Sequence, residues 1–304
     1  MNKIRTRLVA AAALIITAAA SLVIGASPAQ AIVGGHDATR PHREVVMLDI
    51  DTGNGDGFQP ACAATITSYH GPIKKFDGVR VAVTAAHCVT TVPTPVTPSS
   101  RTLPAGAMRL RVGSAHLLGG VPVRVTSVTP APGWAWAQFY PAMTGDFAVL
   151  TVPDLPKWVP SVPIPAVSSR PTAVDLYGWG FTAPANVPPM AERLQQLHTR
   201  IVDSARCDGV LITVGEICVD GTDGRGCNGD GGGGLETYLH HKLFVLGVGS
   251  RGSARLCDRG DGVITDVRYY PEFINSVIDG TYQWPSAIIS TPLTAARAPA
   301  LSWQ

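Results

Sequence analysis

Three short stretches hold residue types that could act together in catalysis: Thr84-Ala-Ala-His87-Cys88, Gly145-Asp146-Phe147 and Cys227-Asn-Gly229-Asp230-Gly231-Gly-Gly-Gly234. A histidine serves as a general base, a carboxylate orients it, and backbone N–H groups of a glycine-rich turn stabilise developing negative charge. A covalent route needs one more part, a hydroxyl or thiol within ~2.6–3.2 Å of the base. The tract from Gly229 to Gly234 contains neither. Taken alone, His87 reads better as a buried histidine beside a structural cysteine, and the glycine run can be read as a flexible tract. Two other patterns fall away. Gly247-Val-Gly-Ser-Arg-Gly252 matches GxGxxG, but no helix pattern follows it and no βαβ context surrounds it, so no dinucleotide cofactor is expected. His240-His241 lacks partners at metal-ligand spacing and reads as a solvated turn, so no metal is expected.

The elements that must position these residues are mostly strands. Thirty-two glycines and 25 prolines punctuate short Val/Ile/Leu/Thr-rich runs, among them Val45–Ile50, Val81–Thr84, Met108–Val112, Val121–Thr126, Phe147–Val152 and Leu243–Val248. Strands this short and closely spaced predict an all-β barrel or sandwich. One helix is expected over Pro271–Ile278, with proline at its start, apolar residues three and four apart, and Asp279-Gly280 as a stop. The stretch Thr91–Gly106 and the Ala/Pro/Ser/Thr-rich tail, residues 281–304, read as poorly ordered.

The first 31 residues carry Lys3, Arg5 and Arg7, then an apolar run from Leu8 to Ile24, then Ala29-Gln30-Ala31. This is the pattern of a secretory signal peptide cleaved after Ala31, leaving 304 − 31 = 273 residues. Removing three cations and no acid changes the formal charge from +2 to 2 − 3 = −1. No clustered basic footprint for nucleic acid or an anionic membrane remains. All six cysteines fall in the exported part, where disulfides form and persist, although six cysteines alone leave the pairing open.

Four segments in order, Ile32-Val-Gly-Gly35, Thr84–Cys88, Gly145–Leu150 and Cys227–Gly234, together with Gly178-Trp-Gly180 and Gly262–Val267, resemble the trypsin or chymotrypsin-like serine proteases. The order histidine, aspartate, glycine-rich loop is also that family's order, not the subtilisin or α/β-hydrolase one. The resemblance spans residues 32 to 278 and implies two packed antiparallel barrels with a site between them, in a domain running from 32 to 280. It makes His87 the base and Asp146 its orienting acid, gives the amides of Gly229 and Gly231 to the oxyanion hole, and places Gly231 where the nucleophilic serine belongs. It pairs Cys62 with Cys88, Cys207 with Cys218 and Cys227 with Cys257. It also pairs the ammonium of a free Ile32 with Asp230, an ion pair that signal cleavage alone would create.

The same resemblance puts Arg225 at the floor of the specificity pocket and Ser250-Arg251-Gly252 along its wall, where the family has Ser-Trp-Gly. Two arginines there favour an acidic ligand, and an extended peptide could pair with that edge by strand addition. The expectation is a secreted, monomeric protease homologue, inactive for lack of the serine, that binds a polypeptide ligand or protein partner and no nucleic acid or membrane. The competing reading is a hydrolase with residual or altered activity, in which His87 activates water beside the oxyanion amides. A third treats the chain as a structural extracellular module whose proline-rich loop and tail do the work.

Overall fold

The computed structural model describes residues 32–283 apart from 69–77, 94–99, 137–144, 167, 184, 186–187, 254–256 and 258. The segments assigned to the signal peptide and to most of the tail lie outside the described residues. A two-residue strand β1 (His36–Asp37) is followed by β2 (Val45–Asp51), β3 (Phe58–Ser68), β4 (Arg80–Thr84), β5 (Met108–Val112), β6 (Val121–Arg124), β7 (Ser127–Pro130) and β8 (Ala148–Thr151). Strands β2 to β8 form one antiparallel sheet in the order β6-β5-β2-β3-β4-β8-β7. Six more strands follow: β9 (Ala173–Gly178), β10 (Gln195–Val202), β11 (Glu216–Val219), β12 (Gly234–Leu239), β13 (Lys242–Gly252) and β14 (Gly262–Asp266). They pair in the order β10-β11-β14-β13-β12-β9, and β9 returns to β10, so this sheet closes into a six-stranded barrel, with β1 added alongside β10.

Two barrels were expected. The second is closed, whereas the first is a curled sheet whose edges β6 and β7 do not pair among the described residues. Alternating strands explain the curled sheet, since β5 buries Met108, Leu110 and Val112 and turns Arg109 and Arg111 outward. Those two guanidiniums converge on Asp49, at 2.9 and 2.7 Å. The helix α1 (Pro271–Asp279) starts on its proline and stops at Gly280, whose φ of 73° is left-handed. Phe273 and Ile274 of α1 pack with Phe147, immediately before β8. His240 and His241, both exposed, form the two-residue turn between β12 and β13 with φ of 50° and 64°, the twist a tight hairpin requires.

The proline-rich stretch is more ordered at its ends than its composition suggests. Thr91 donates its amide to Arg101 at 2.8 Å, and Leu103 donates to Val89 at 2.9 Å. Disulfides join Cys62 to Cys88, Cys207 to Cys218 and Cys227 to Cys257, the pairing that the resemblance implies. Among the described residues no helix is long and apolar enough to cross a membrane.

Candidate active site

His87 and Asp146 are 59 residues apart and meet because β4 pairs with β8. Thr84 lies opposite Ala148, so the short turn Ala86–Val89 after β4 stands beside the residue two before Ala148. The bridge from Cys88 to Cys62 ties that turn to β3. The carboxylate of Asp146 is fully buried and fully used. Its Oδ1 accepts the backbone N–H of His87 at 2.8 Å, and its Oδ2 accepts from His87 Nδ1 at 2.9 Å and from Ser250 Oγ at 2.6 Å. Burial pushes the Asp146 carboxyl up, but His87 and the donors around it outweigh burial and hold it below the usual carboxylate range.

The Ser250 side chain, expected beside a ligand, is thus engaged by the acid. It reaches Asp146 from a bulge in β13, where the register with β14 shifts between Gly249 and Arg251. That shift turns the next side chain inward. Arg251 is wholly buried, where a cleft-facing cation was expected. Its guanidinium meets both oxygens of Glu216, Nη1 to Oε1 and Nη2 to Oε2, the latter at 3.0 Å. It lies beneath the segment 204–211, near the carbonyls of Val210 and Leu211, and its charge is committed there. Arg225 is half-buried, donates to the carbonyl of Gly221, and lines a cavity of about 10 Å³ with Leu176, Leu197 and Gly262. Such a space holds about one water. One edge of Arg251-Gly252 is taken by β14.

The glycine-rich loop is held rather than loose. Ala63 donates to the carbonyl of Gly231 at 2.9 Å, Gly232 donates to Gly249 at 2.8 Å, and Gly249 donates to Gly233 at 2.9 Å. A Cβ at Gly232, whose φ is +72°, would sit 2.1 Å from Thr84 Oγ1 and 2.3 Å from the Ala63 carbonyl oxygen. None of the described hydrogen bonds uses the amides of Gly229 or Gly231.

Asp230 is fully buried and accepts from the amides of Gly180 at 2.7 Å and Cys227 at 2.8 Å. A Cβ at Gly178 or Gly180 would sit 2.1 or 2.4 Å from its carboxylate oxygens, which is why glycine flanks Trp179. The expected contact with Ile32 is not among those described, because in the uncleaved chain the nitrogen of Ile32 is an amide. Ile32 is nonetheless buried among Leu176, Leu197 and Ile264, and the next residue, Val33, bridges to Arg225. Burial raises the Asp230 carboxyl to about 7, against the two amide donors that lower it. Its unfolded value is ~3.9, so the native state binds the extra proton. Stability of the uncleaved chain should fall as pH rises from about 4 to about 7, by on the order of 4 kcal/mol from this group. Urea midpoints at pH 5 and pH 7.5 test this when compared with those of Asp230→Asn, which should shrink the difference by this group's share.

The sequence model of the trypsin family matches residues 32–274. The chain belongs to the trypsin family. Among its curated relatives in that family, brachyurin of Leptuca pugilator is 31% identical over 142 residues, 44% of this chain and 61% of that protein. Chymotrypsin-like elastase family member 1 of Homo sapiens is 37% identical over 109 residues, 33% of this chain and 42% of that protein. Trypsin delta of Drosophila erecta is 29% identical over 167 residues, 51% of this chain and 60% of that protein. The chain thus spans about three-fifths or less of the length of these relatives.

One further feature of this trypsin-family site is its cover. The His87 side chain has no exposure, and the ring of Trp136 stands edge-on to it at 6.2 Å. Trp134 and Trp136 both donate their indole N–H to Thr90 Oγ1 at 3.1 Å, one turn past His87. The sulfurs of Cys62 and Cys88 also lie close to His87, but their bridge removes them as metal ligands. Neither the cover nor Ser250's partner was legible in local sequence, since Trp136 and Ser250 lie far from His87 along the chain.

Proposed function

We propose that this chain is an exported protease homologue that does not cleave peptides by the acyl-enzyme route and acts through binding a polypeptide partner. The observation that carries this reading is the combination at the site. The base and its acid are within hydrogen-bond distance, yet the loop between Asp230 and Gly232 offers a glycine where a nucleophile is needed, and the His87 side chain is buried with Trp136 edge-on to it. A buried base and a missing hydroxyl each block the covalent step. Export rests on the pattern of residues 1–31, and on three disulfides of the kind that persist outside the cytosol. Release of Ile32 by cleavage after Ala31 would supply the buried Asp230 with the cation that the uncleaved chain lacks, and so order the loop.

Reaction of the purified, cleaved protein with a fluorophosphonate probe is the direct test. The expected result is no labelling at any residue under conditions that saturate an active relative. Site-specific labelling would restore the competing reading, a hydrolase with residual or altered activity.

A further inference from the structure

Away from His87, at the seam between the two sheets, three ionisable side chains from distant parts of the chain converge in the interior. His42 and Glu44 precede and adjoin β2, and Glu236 lies on β12, six residues past Asp230. All three are buried, Glu236 completely. His42 Nδ1 is 2.9 Å from Glu44 Oε1 and 3.5 Å from Glu236 Oε2, and the three donor atoms lie within 4.8 Å of one another. The second spacing is long for a hydrogen bond, and neither oxygen of Glu236 makes one among the described residues.

Along β12 alternation sends Leu235 into the barrel and Glu236 to the opposite face, at the seam, and both are buried because that strand is covered on both sides. Thr65 of β3 is also fully buried, and its hydroxyl makes no hydrogen bond among the described residues. It faces the same spot: a Cβ on Gly234 would lie 2.5 Å from Thr65 Oγ1 and 3.6 Å from Glu236 Oε1. Glycine at 234, where the family's loop has proline, keeps that space open.

We propose that His42, Glu44 and Glu236 form a structural site for a first-row divalent cation, with zinc as the ion of choice. Bonds of ~2.0–2.2 Å from imidazole nitrogen and carboxylate oxygen to one ion set neighbouring donors ~3.0 Å apart at right angles and ~3.4 Å apart at the tetrahedral angle. The two spacings around His42 match these. One imidazole and two carboxylates suit zinc among the borderline metals, and the two carboxylate charges neutralise its own, which satisfies the rule that buried charges are paired or bind metal. Thr65 Oγ1 or a water completes the coordination. A metal on Nδ1 moves the imidazole proton to Nε2, which here accepts from Arg40 Nε at 3.1 Å. Arg40 is exposed and lies over the ring of Tyr238, so it has room to swing away. The bound ion would join the segment before β2 to the strand that leaves the glycine-rich loop, fastening the two sheets beside the site.

The experiment is titration of metal-stripped full-length protein with zinc and, separately, with cobalt. The expected result is one ion per chain, a rise in Tm on zinc addition, and cobalt absorption bands of a four- or five-coordinate N/O site. Glu236→Gln, close in shape, should weaken zinc binding by at least about 100-fold, beyond what loss of an outer-shell partner costs, and should abolish the Tm response. Should Glu236→Gln fail to fold, the cobalt spectrum of the unaltered protein and the Glu44→Gln variant carry the same decision. No binding at millimolar zinc, or binding unaffected by either substitution, would overturn the proposal and leave the cluster as a histidine that shares its proton with two carboxyls.

Discussion

Glu216→Ala should destabilise the protein by about 3–5 kcal/mol, the cost of leaving a buried guanidinium without its counter-ion. The Arg251 side chain has no exposure and that of Glu216 has 3%, so solvent cannot replace the lost carboxylate. Glu216 Oε2 also accepts the amide and hydroxyl of Thr213, at 2.6 and 2.9 Å, and the substitution loosens that turn too. The control is the double variant Glu216→Leu with Arg251→Met. Removing both charges for apolar groups of similar volume is commonly neutral or stabilising, so it should recover most of the loss. Urea midpoints at constant slope measure both. A single variant that loses under ~1 kcal/mol would mean that Arg251 reaches water in solution, and the cleft-facing reading of that arginine would return.

Gly231→Ser should give the site a hydroxyl that reacts with a fluorophosphonate, and uncovering His87 should speed that reaction further. The parts on either side of position 231 are each held, because Asp146 holds His87 and Ser250 while Ala63 and Gly249 hold the loop. A triad serine contributes on the order of 10⁶ in rate where the rest of the site is intact, so even a small fraction of that gain is measurable. The cover sets the fraction. Swinging Trp136 off His87 forfeits a ring contact and the hydrogen bond to Thr90, together roughly 1–3 kcal/mol. Gly231→Ser combined with Trp136→Ala should therefore label roughly tenfold faster, or more, than Gly231→Ser alone. Two folded variants, both unreactive, would show that more than a nucleophile and a cover is missing, and would place any function on another surface. Arg251 gives acidic peptides no advantage as test substrates, since it is committed to Glu216.

Much of this was readable from sequence, for a physical reason that differs from element to element. Strands β2, β4, β5 and β8 announce themselves because a sheet with one buried face requires period-two alternation or short apolar runs, and α1 because proline and glycine mark its ends. His87, Asp146 and the glycine-rich loop stand in an order that few folds share, and the cysteines follow from the same resemblance. Local sequence could not show where side chains point across a bulge. One extra residue in β13 sends Ser250 to Asp146 and turns Arg251 beneath the segment that ends at Leu211, and a second register shift between β12 and β13 falls where Glu236 meets the seam. Sequence alternation holds only while register holds, and register is decided by pairing with strands distant along the chain. Glu216, the partner of Arg251, and the meeting of His42, Glu44 and Glu236 are products of that pairing. The sequence by itself thus determined which chemistry the chain contains and which it lacks at position 231. Only the tertiary structure decided that the base is covered, that Arg251 is spent on an internal contact with Glu216, and that His42, Glu44 and Glu236 meet at the seam between the sheets.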